Sequence, residues 1–315
     1  MSRSPLPENP GWLPPAPTST RQDESSIRIM DIAASRSPAS PPLRNQGLIG
    51  AERWSLASKL TELWHYRELF YFLVWRDVKV RYAQSILGIG WAVIQPLVPM
   101  ILFTIIFGRV AKISSDGIPY ALFSLTGLVP WTYFSNALND SSGSLVKEVN
   151  MLNKIYFPRL IIPLTSVLGR LIDLVISFML LFLLMAWYRT MPTPWVVLLP
   201  LLTAMAIITA SGLGLWLSAL AVQYRDVRYG LPFVVPFLMY AAPVVYPTSL
   251  IPERYRYFYA VNPLVGVIEG FRATLLGSGP VPWDLIGIGA VSALLMLLLG
   301  SVYFIGKEPV FADVA

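Results

Sequence analysis

Six long apolar blocks follow one another between residues 88 and 305, and no other feature of this sequence limits its fold as strongly. Each block has roughly twenty residues or more, the length that an α-helix needs to cross the hydrocarbon core of a bilayer. We therefore predict an all-α integral membrane protein with six transmembrane helices. The predicted spans cover about residues 88–107, 120–138, 165–187, 195–222, 231–250 and 283–305.

The charge content supports a membrane protein and excludes several functions. Only 13% of the residues are charged, against about 25% in soluble domains. The net charge of +6 would suit a nucleic-acid partner, but the basic residues are scattered between the apolar blocks, so we predict no nucleic-acid partner. The chain has no Cys and a single His, His65. This excludes disulfides and leaves too few ligands for a zinc centre, and we predict no metal site.

The orientation of the spans follows from the ends of the chain and from its basic residues. The first thirty residues lack the apolar core of a secretory signal peptide, so we expect the N-terminus in the cytoplasm. An even number of spans places the C-terminal end, residues 308–315, on the same side. The segments that are then cytoplasmic carry a modest excess of Lys and Arg, as expected for a multi-pass protein of the inner (plasma) membrane.

Two different segments precede the first span. Residues 1–50 are rich in Pro and Ser and are predicted to be a disordered tail. Residues 51–82 are predicted to form an amphipathic helix that lies in the membrane interface, because its charges are too frequent for the bilayer centre. Its predicted apolar face consists of Leu60, Leu63, Trp64, Tyr71, Val74, Trp75 and Val78.

The fifth block contains four prolines, Pro232, Pro236, Pro243 and Pro247. Prolines inside a helix kink it and free backbone carbonyls. Within a membrane such breaks are tolerated where protein or water covers them. The block is therefore predicted to face other protein or a pathway, although a kinked packing helix would show the same pattern.

The stretch YAVNPLVGVIEGFR, residues 259–272, predicts a short helix after the fifth block. Asn262 is a suitable N-cap, Pro263 suits the first helical position and Gly277 is a natural stop. The helix would be roughly 21 Å long, too short to span the bilayer. Glu269 and Arg272 can form an ion pair at i, i+3. With the preceding segment PERYRYFYA, the pattern predicts two short outer helices that dip into the membrane edge; an ordinary outer loop on the headgroups is the alternative.

The chain carries no ATP-binding phosphate loop of the form Gly-x-x-x-x-Gly-Lys-Ser/Thr. Within the spans, Arg170 and Asp173 form the only clear ionisable pair, and their i, i+3 spacing predicts a structural, self-neutralising contact. A single pair of this kind is not a proton relay. The energy for any transport must therefore come from another component.

Several motifs, in order along the chain, resemble those of type-2 ABC exporter permeases that move polysaccharides such as O-antigen, teichoic acid and capsule. They are DVKVRYAQSILGIGWAVIQPLVPMILFTIIFG at 77–108, GLVPWTYFSNAL at 127–138, KIYFPRLIIP at 154–163, YRDVRYG at 224–230, PVVYPTSLIPERYRYFYAVNPLVGVIEGFR at 243–272 and EPVFAD at 308–313. The resemblance runs from about residue 59 to residue 313, and residues 83–307 would form the type-2 transmembrane domain.

The resemblance implies a permease subunit that moves a lipid-linked polysaccharide from the cytoplasm across the inner membrane. The subunit would form a homodimer with two copies of a separate ABC ATPase, so that the partner uses the ATP and this chain needs no cofactor. The interface helix and the loop at 139–158 would be the ATPase dock, with Leu145, Lys147, Glu148, Val149, Leu152 and Lys154 as contact residues. The short helices at 252–276 would form an outer gate with Tyr259, Asn262, Pro263, Glu269 and Arg272.

Aromatic residues near the span ends are compatible with sugar transport, because aromatic faces stack on sugar rings. The candidates for lining a pathway are Trp91, Trp131, Tyr133, Phe134, Tyr240 and Tyr246. An interfacial aromatic belt would show the same residues. Two other functions stay open: a type-2 permease for a drug or lipid, and a membrane-embedded glycan-processing enzyme. The enzyme would need paired carboxylates, and the outer acids Asp116, Glu253, Glu269 and Asp284 show no such motif.

Overall fold

A computed structural model describes residues 56–83, 87–152 and 157–308. The predicted tail at 1–50 and residues 309–315 lie outside the described residues. Helices make up almost all of the described chain, and no strand occurs in it, which confirms the all-α fold class. The helices are α1 (Leu56–His65), α2 (Arg67–Ala83), α3 (Gly90–Phe103), α4 (Tyr120–Lys147), α5 (Val149–Leu152), α6 (Ile161–Gly169), α7 (Leu171–Trp187), α8 (Leu199–Gln223), α9 (Arg225–Leu238), α10 (Glu253–Tyr259), α11 (Pro263–Leu276) and α12 (Trp283–Lys307).

Four helical stretches among the described residues are long and apolar enough to cross a membrane, judged by length and composition. They are Gly90–Val110, where α3 continues into a wider π-helical turn, Ile161–Trp187, Pro194–Gln223 and Trp283–Lys307. Six spans were expected. The second block lies in α4, whose 28 residues are long enough but include polar residues and are mostly buried by other helices. An enclosed helix does not need a continuous apolar surface.

The fifth block departs from the predicted span at 231–250. Helix α9 starts earlier, at Arg225, and ends at Leu238 after 14 residues. A short 3₁₀ turn follows, and residues 242–247 are not helical. Pro243 and Pro247 lie in this segment, and each lacks the N–H that a continued helix would use. The prolines therefore break the block rather than only kinking it.

The helix before the first span also differs from its prediction, because it is divided into α1 and α2 by a turn at Tyr66. Helix α2 packs against α6 with Leu73 and Val78 buried. Leu63 also packs against the core, whereas Trp64, Tyr71 and Trp75 are exposed. The predicted apolar face is therefore divided between core contacts and exposed aromatic rings, and such rings suit a membrane interface.

The core of the bundle is formed by α4, α8 and α12. Helix α8 packs along both α4 and α12, and α11 lies against α4, α8 and α12. The crossing of α8 and α12 depends on two glycines, since a Cβ added to Gly300 would lie 2.1 Å from the carbonyl oxygen of Gly212. Small residues at such a crossing let two apolar helices approach closely.

Candidate functional site: a buried arginine beside a broken helix

The ends of α11 form as the sequence predicts. The Asn262 side chain accepts a hydrogen bond from the Leu264 amide at 3.1 Å, Pro263 is the first helical residue, and Gly277 ends the helix with φ 65°. Only one residue of α11, Glu269, is not fully buried. The surrounding chain therefore encloses nearly all of this helix, which was predicted to dip into the membrane edge.

The predicted contact between Glu269 and Arg272 is present, and it lies within one chain. Arg272 Nη1 donates to Glu269 Oε1 at 2.9 Å. The arginine is only 1% exposed, and its guanidinium carbon lies 3.6 Å from the centroid of the Phe123 ring. The pair is thus enclosed by the protein and not exposed on its surface. Its burial makes each member dependent on the other.

The buried arginine satisfies the backbone of the broken segment at 242–247. Arg272 Nη2 donates to the carbonyl oxygen of Val244 at 2.9 Å, and the Tyr120 hydroxyl donates to that of Val245 at 2.5 Å. Carbonyls freed from a helix need such donors wherever water is excluded. Gly127 makes room for this contact, because a Cβ there would lie 3.0 Å from Arg272 Nη2.

Glu269 and two tyrosines extend the contacts of this site. The amide of Thr248 donates to Glu269 Oε1 at 3.3 Å, which ties the carboxylate to the chain beyond the break. The hydroxyl of Tyr246 donates to the carbonyl oxygen of Tyr240 at 2.8 Å and lies 2.9 Å from the Tyr259 hydroxyl. The structure therefore brings four of the five predicted gate residues, all except Pro263, into polar contacts at or beside the broken segment, where Asn262 also donates to Ala241.

The aromatic candidates fall into two groups. Trp131, Tyr133 and Phe134 are buried in the core, so these three do not line an open surface of this chain. The other three candidates are at least partly exposed: Trp91 and Tyr240 are about half exposed, at 50% and 52%, and Tyr246 is partly buried. A role of any of the six in lining a pathway stays a prediction.

Sequence reasoning missed a row of exposed aromatic residues on α9. Tyr229, Phe233 and Phe237 are 78%, 70% and 60% exposed and recur every four residues. Phe233 and Phe237 are in edge contact, with ring centroids 5.3 Å apart. Val235 is the one residue of α9 that is fully buried. The i, i+4, i+8 spacing was the available signal.

The predicted pair of Arg170 and Asp173 is part of a larger ionic cluster. Arg170 contacts Asp173 at 2.8 Å and Asp140 of α4 at 2.6 Å. Arg81 of α2 joins the same carboxylates and adds Asp77 at 2.8 Å. Burial raises the pKa of the Asp77 carboxyl, since the loss of hydration outweighs the effect of Arg81. We call these five residues the ionic cluster.

The predicted docking residues are only partly on the surface. Helix α4 continues to Lys147, so residues 139–147 are not a loop, and Leu145 is buried in the core. The docking role of Leu145 stays a prediction, and in this chain its side chain is only 1% exposed. Lys147 is exposed, and Glu148 forms an ion pair with Arg76 of α2 at 2.5 Å. Val149 is half-buried and begins α5. The side chain of Leu152 and all of Lys154 lie outside the described residues.

Several apolar helices that enclose buried ion pairs and a broken segment define a multi-pass membrane protein. Residues 68–276 match the ABC-2 type transporter family. Because the match covers more than half of the chain, the protein belongs to this transport family.

Three curated relatives of this chain have names that are consistent with a transport family. An O-antigen export system permease protein RfbA of Myxococcus xanthus is 29% identical over 78% of this chain and 95% of its own. An RfbA protein of Klebsiella pneumoniae is 27% identical, with coverage of 76% and 92%. The polysialic acid transport protein KpsM of Escherichia coli is 24% identical, with coverage of 64% and 78%.

Proposed function

We propose that this protein is the membrane-spanning permease subunit of an ATP-driven exporter that moves a lipid-linked polysaccharide of the O-antigen kind across the inner membrane. The observation that carries the proposal is the similarity to O-antigen export permeases over 95% and 92% of their lengths. Nothing among the described residues favours a drug or lipid substrate or a glycan-processing enzyme.

A separate ABC ATPase supplies the energy in this proposal, with two copies bound to a permease homodimer. The absence of a phosphate loop from this sequence supports a partner of this kind. The dock comprises Lys147, Glu148 and Val149 at the end of α4 and the start of α5, together with Leu152 and Lys154. Leu145 supports this surface from the core without contacting the partner.

The polysaccharide passes along the exposed side of α9, which a second copy of the chain covers. Three observations support this location: the aromatic row of α9, the small buried fraction of that helix, and the half-exposed rings of Trp91 and Tyr240. Aromatic rings stack on sugar faces and allow a polymer to slide. In this arrangement α4 and α9 with the broken segment form the second and fifth of six spans.

Helices α10 and α11 form the outer gate, and both chain termini lie in the cytoplasm. The interface helix at 51–82 and the tail at 1–50 then also lie on the cytoplasmic side. The Arg272 contacts support the gate, because they join α11 to the break in the fifth block. Tyr246 and Tyr259 link the same break to α10.

Deletion of the gene tests the proposal. Surface polysaccharide should disappear, and undecorated lipid-linked polymer should accumulate on the cytoplasmic side, where it is detected by extraction and glycan staining. The wild-type gene should restore export. Phe233→Ala should reduce export, whereas Leu298→Ala, at a half-exposed position of α12, should not. Unchanged surface polysaccharide in the deletion strain would refute the substrate class.

A further inference from the structure

The ionic cluster joins the interface helix to a break within one candidate span. Helices α6 and α7 form the candidate span Ile161–Trp187, and they are separated at Arg170. There the Arg170 amide bonds to the Val167 carbonyl three residues back, at 3.3 Å, instead of continuing the α-helical pattern. The carbonyl of Gly169, next to the break, accepts a hydrogen bond from Arg81 Nη1 of α2 at 3.0 Å.

Arg81 makes most of the contacts in this connection, because its guanidinium reaches all three carboxylates of the ionic cluster. Its guanidinium lies 2.8 Å from Asp77 on α2, 3.2 Å from Asp140 on α4 and 3.5 Å from Asp173 on α7. Tyr82, the next residue, also donates to Asp173. A planar guanidinium with five donors can hold several partners in one fixed geometry, which a lysine cannot do.

The close approach of α2 to the break depends on Gly169. A Cβ at this position would lie 2.8 Å from Asp77 Oδ2. A larger residue would require the Asp77 carboxylate, a partner of Arg81, to move. Glycine at this position thus leaves room for the carboxylate beside the break.

The cluster also has space and a spare polar group for a second arrangement. A cavity of about 290 Å³ lies between α2, α4 and α6, lined by Asp77, Arg81, Asp140 and Arg170 among others. Thr165 lines the same cavity and is 5% exposed, and its hydroxyl has no hydrogen-bond partner among the described residues. Closely packed interiors resist gradual deformation, so a site with unequal contacts and adjacent space changes between discrete arrangements.

We infer that Arg81 is a positioning residue that transmits movement of the interface helix to the break at Arg170, by exchanging its contacts among its three carboxylate partners. The inference rests on the proposed ATP-driven transport, because the ATPase partner would move α2. In one arrangement Arg81 holds the Gly169 carbonyl; in the other it releases it, and the angle between α6 and α7 changes.

The test measures, in the full-length chain, whether α2 moves relative to α7 on the far side of the break. The sequence has no Cys, so Val80→Cys and Met179→Cys, at positions 69% and 66% exposed, provide unique sites for spin labels on α2 and α7. Labelled chain is diluted with unlabelled chain in vesicles that also contain the ATPase partner. The distance between the labels is measured by double electron–electron resonance, with and without ATP.

ATP should shift this distance in the wild-type background, and Arg81→Gln should abolish the shift while ATP hydrolysis by the complex continues. Arg109→Gln makes the same chemical change at an exposed position of the π-helical turn and should preserve the shift. If Arg81→Gln does not reach the membrane, Asp77→Asn removes one of the three carboxylate partners of Arg81 and should reduce the shift. A purely structural role for Arg81 would lower the protein yield without removing the shift.

Two results would contradict the inference, and they differ in what they mean for the proposed function. A shift that persists in full in Arg81→Gln, or in Asp77→Asn where that variant replaces it, overturns this inference and leaves the proposed function intact. A wild-type chain whose distance does not respond to ATP overturns the inference, whereas the proposed function is judged separately by the polymer that accumulates in the deletion strain.

Discussion

Two arginines in this protein hold a backbone carbonyl beside a break in a helix, but their surroundings differ. Arg272 has one carboxylate partner, Glu269, and is 1% exposed. Arg81 has three carboxylate partners, and its side chain is 18% exposed. The first arginine lies in a closely packed region, where even a Cβ at Gly127 would come within 3.0 Å of it. The second lines a cavity of about 290 Å³.

This difference separates a fixed contact from an exchangeable one. A buried ion with a single partner leaves an uncompensated charge when that partner is removed, which is strongly destabilising. An ion with several partners keeps some of its contacts when one is lost. The Arg272 site is therefore expected to be sensitive to any single change. In the ionic cluster, the remaining ion pairs are expected to compensate in part for the loss of one residue.

The largest effect is expected from Arg272→Met. The change leaves the Glu269 carboxylate and the Val244 carbonyl without the arginine, and removal of one partner of a buried pair typically costs about 3–5 kcal/mol. Thermal or denaturant unfolding of the purified protein in detergent measures the loss. Arg254→Met changes an exposed arginine of α10 and should cost less than about 0.5 kcal/mol. A loss below about 1 kcal/mol for Arg272→Met would place this pair among ordinary surface ion pairs.

The sequence predicted the local features of the Arg272 site but not the burial of the arginine within the protein. Asn262, Pro263 and Gly277 act through neighbouring backbone groups, and the i, i+3 spacing of Glu269 and Arg272 identifies the two as partners. The burial of Arg272 depends on Phe123 and Val244, which are distant in sequence. No local pattern carries that information.

Similar reasons explain the errors at the other site. The contacts of Arg81 were not predicted, because its carboxylate partners Asp140 and Asp173 lie on other helices. The loop at 139–158 was an expectation from the family resemblance. Packing instead extends α4 into this stretch: Ser141 fits against Gly214, where a Cβ would lie 2.5 Å from the Ser141 hydroxyl oxygen.

Gly127→Ala tests how rigid the Arg272 site is without removing a charge. The added Cβ would lie 3.0 Å from Arg272 Nη2 and 3.2 Å from the backbone of Val244. Overpacking of this kind typically costs about 1–3 kcal/mol. Gly143→Ala is a matched control on the same helix, because its Cβ would meet only Lys147 Cε, at 3.6 Å. The control should be neutral or slightly stabilising, since Ala favours a helix over Gly. Equal effects of the two substitutions in unfolding experiments would show that the Arg272 site can adjust.

Asp140→Asn tests whether the remaining ion pairs of the ionic cluster compensate for the loss of one carboxylate. Arg81 and Arg170 would both keep Asp173. We expect a destabilisation of roughly 1 kcal/mol, below the usual range for a hydrogen bond to a charged group, because these contacts persist. The same unfolding measurement applies. A loss as large as that of Arg272→Met would mean that the cluster is as fixed as the isolated pair, and the contrast between the two arginines would fail.

The smallest effect on stability is expected at the pair of Arg76 and Glu148, which links α2 to the residue after α4. The two side chains are 35% and 33% exposed, so water screens their attraction, and pairs of this kind contribute about 0–1 kcal/mol. Glu148→Gln should leave the unfolding midpoint almost unchanged. In the proposed dock, however, the same substitution removes a charge that the ATPase contacts, and less ATPase should be retained when the complex is purified through the permease. Asp116→Asn, at an exposed position in the segment before α4, is the control and should retain the wild-type amount of ATPase. If Glu148→Gln retained all of the ATPase and Asp140→Asn lost it, the dock would lie at the ionic cluster and not at the end of α4. ATPase binding and the positioning of the break would then belong to the same surface.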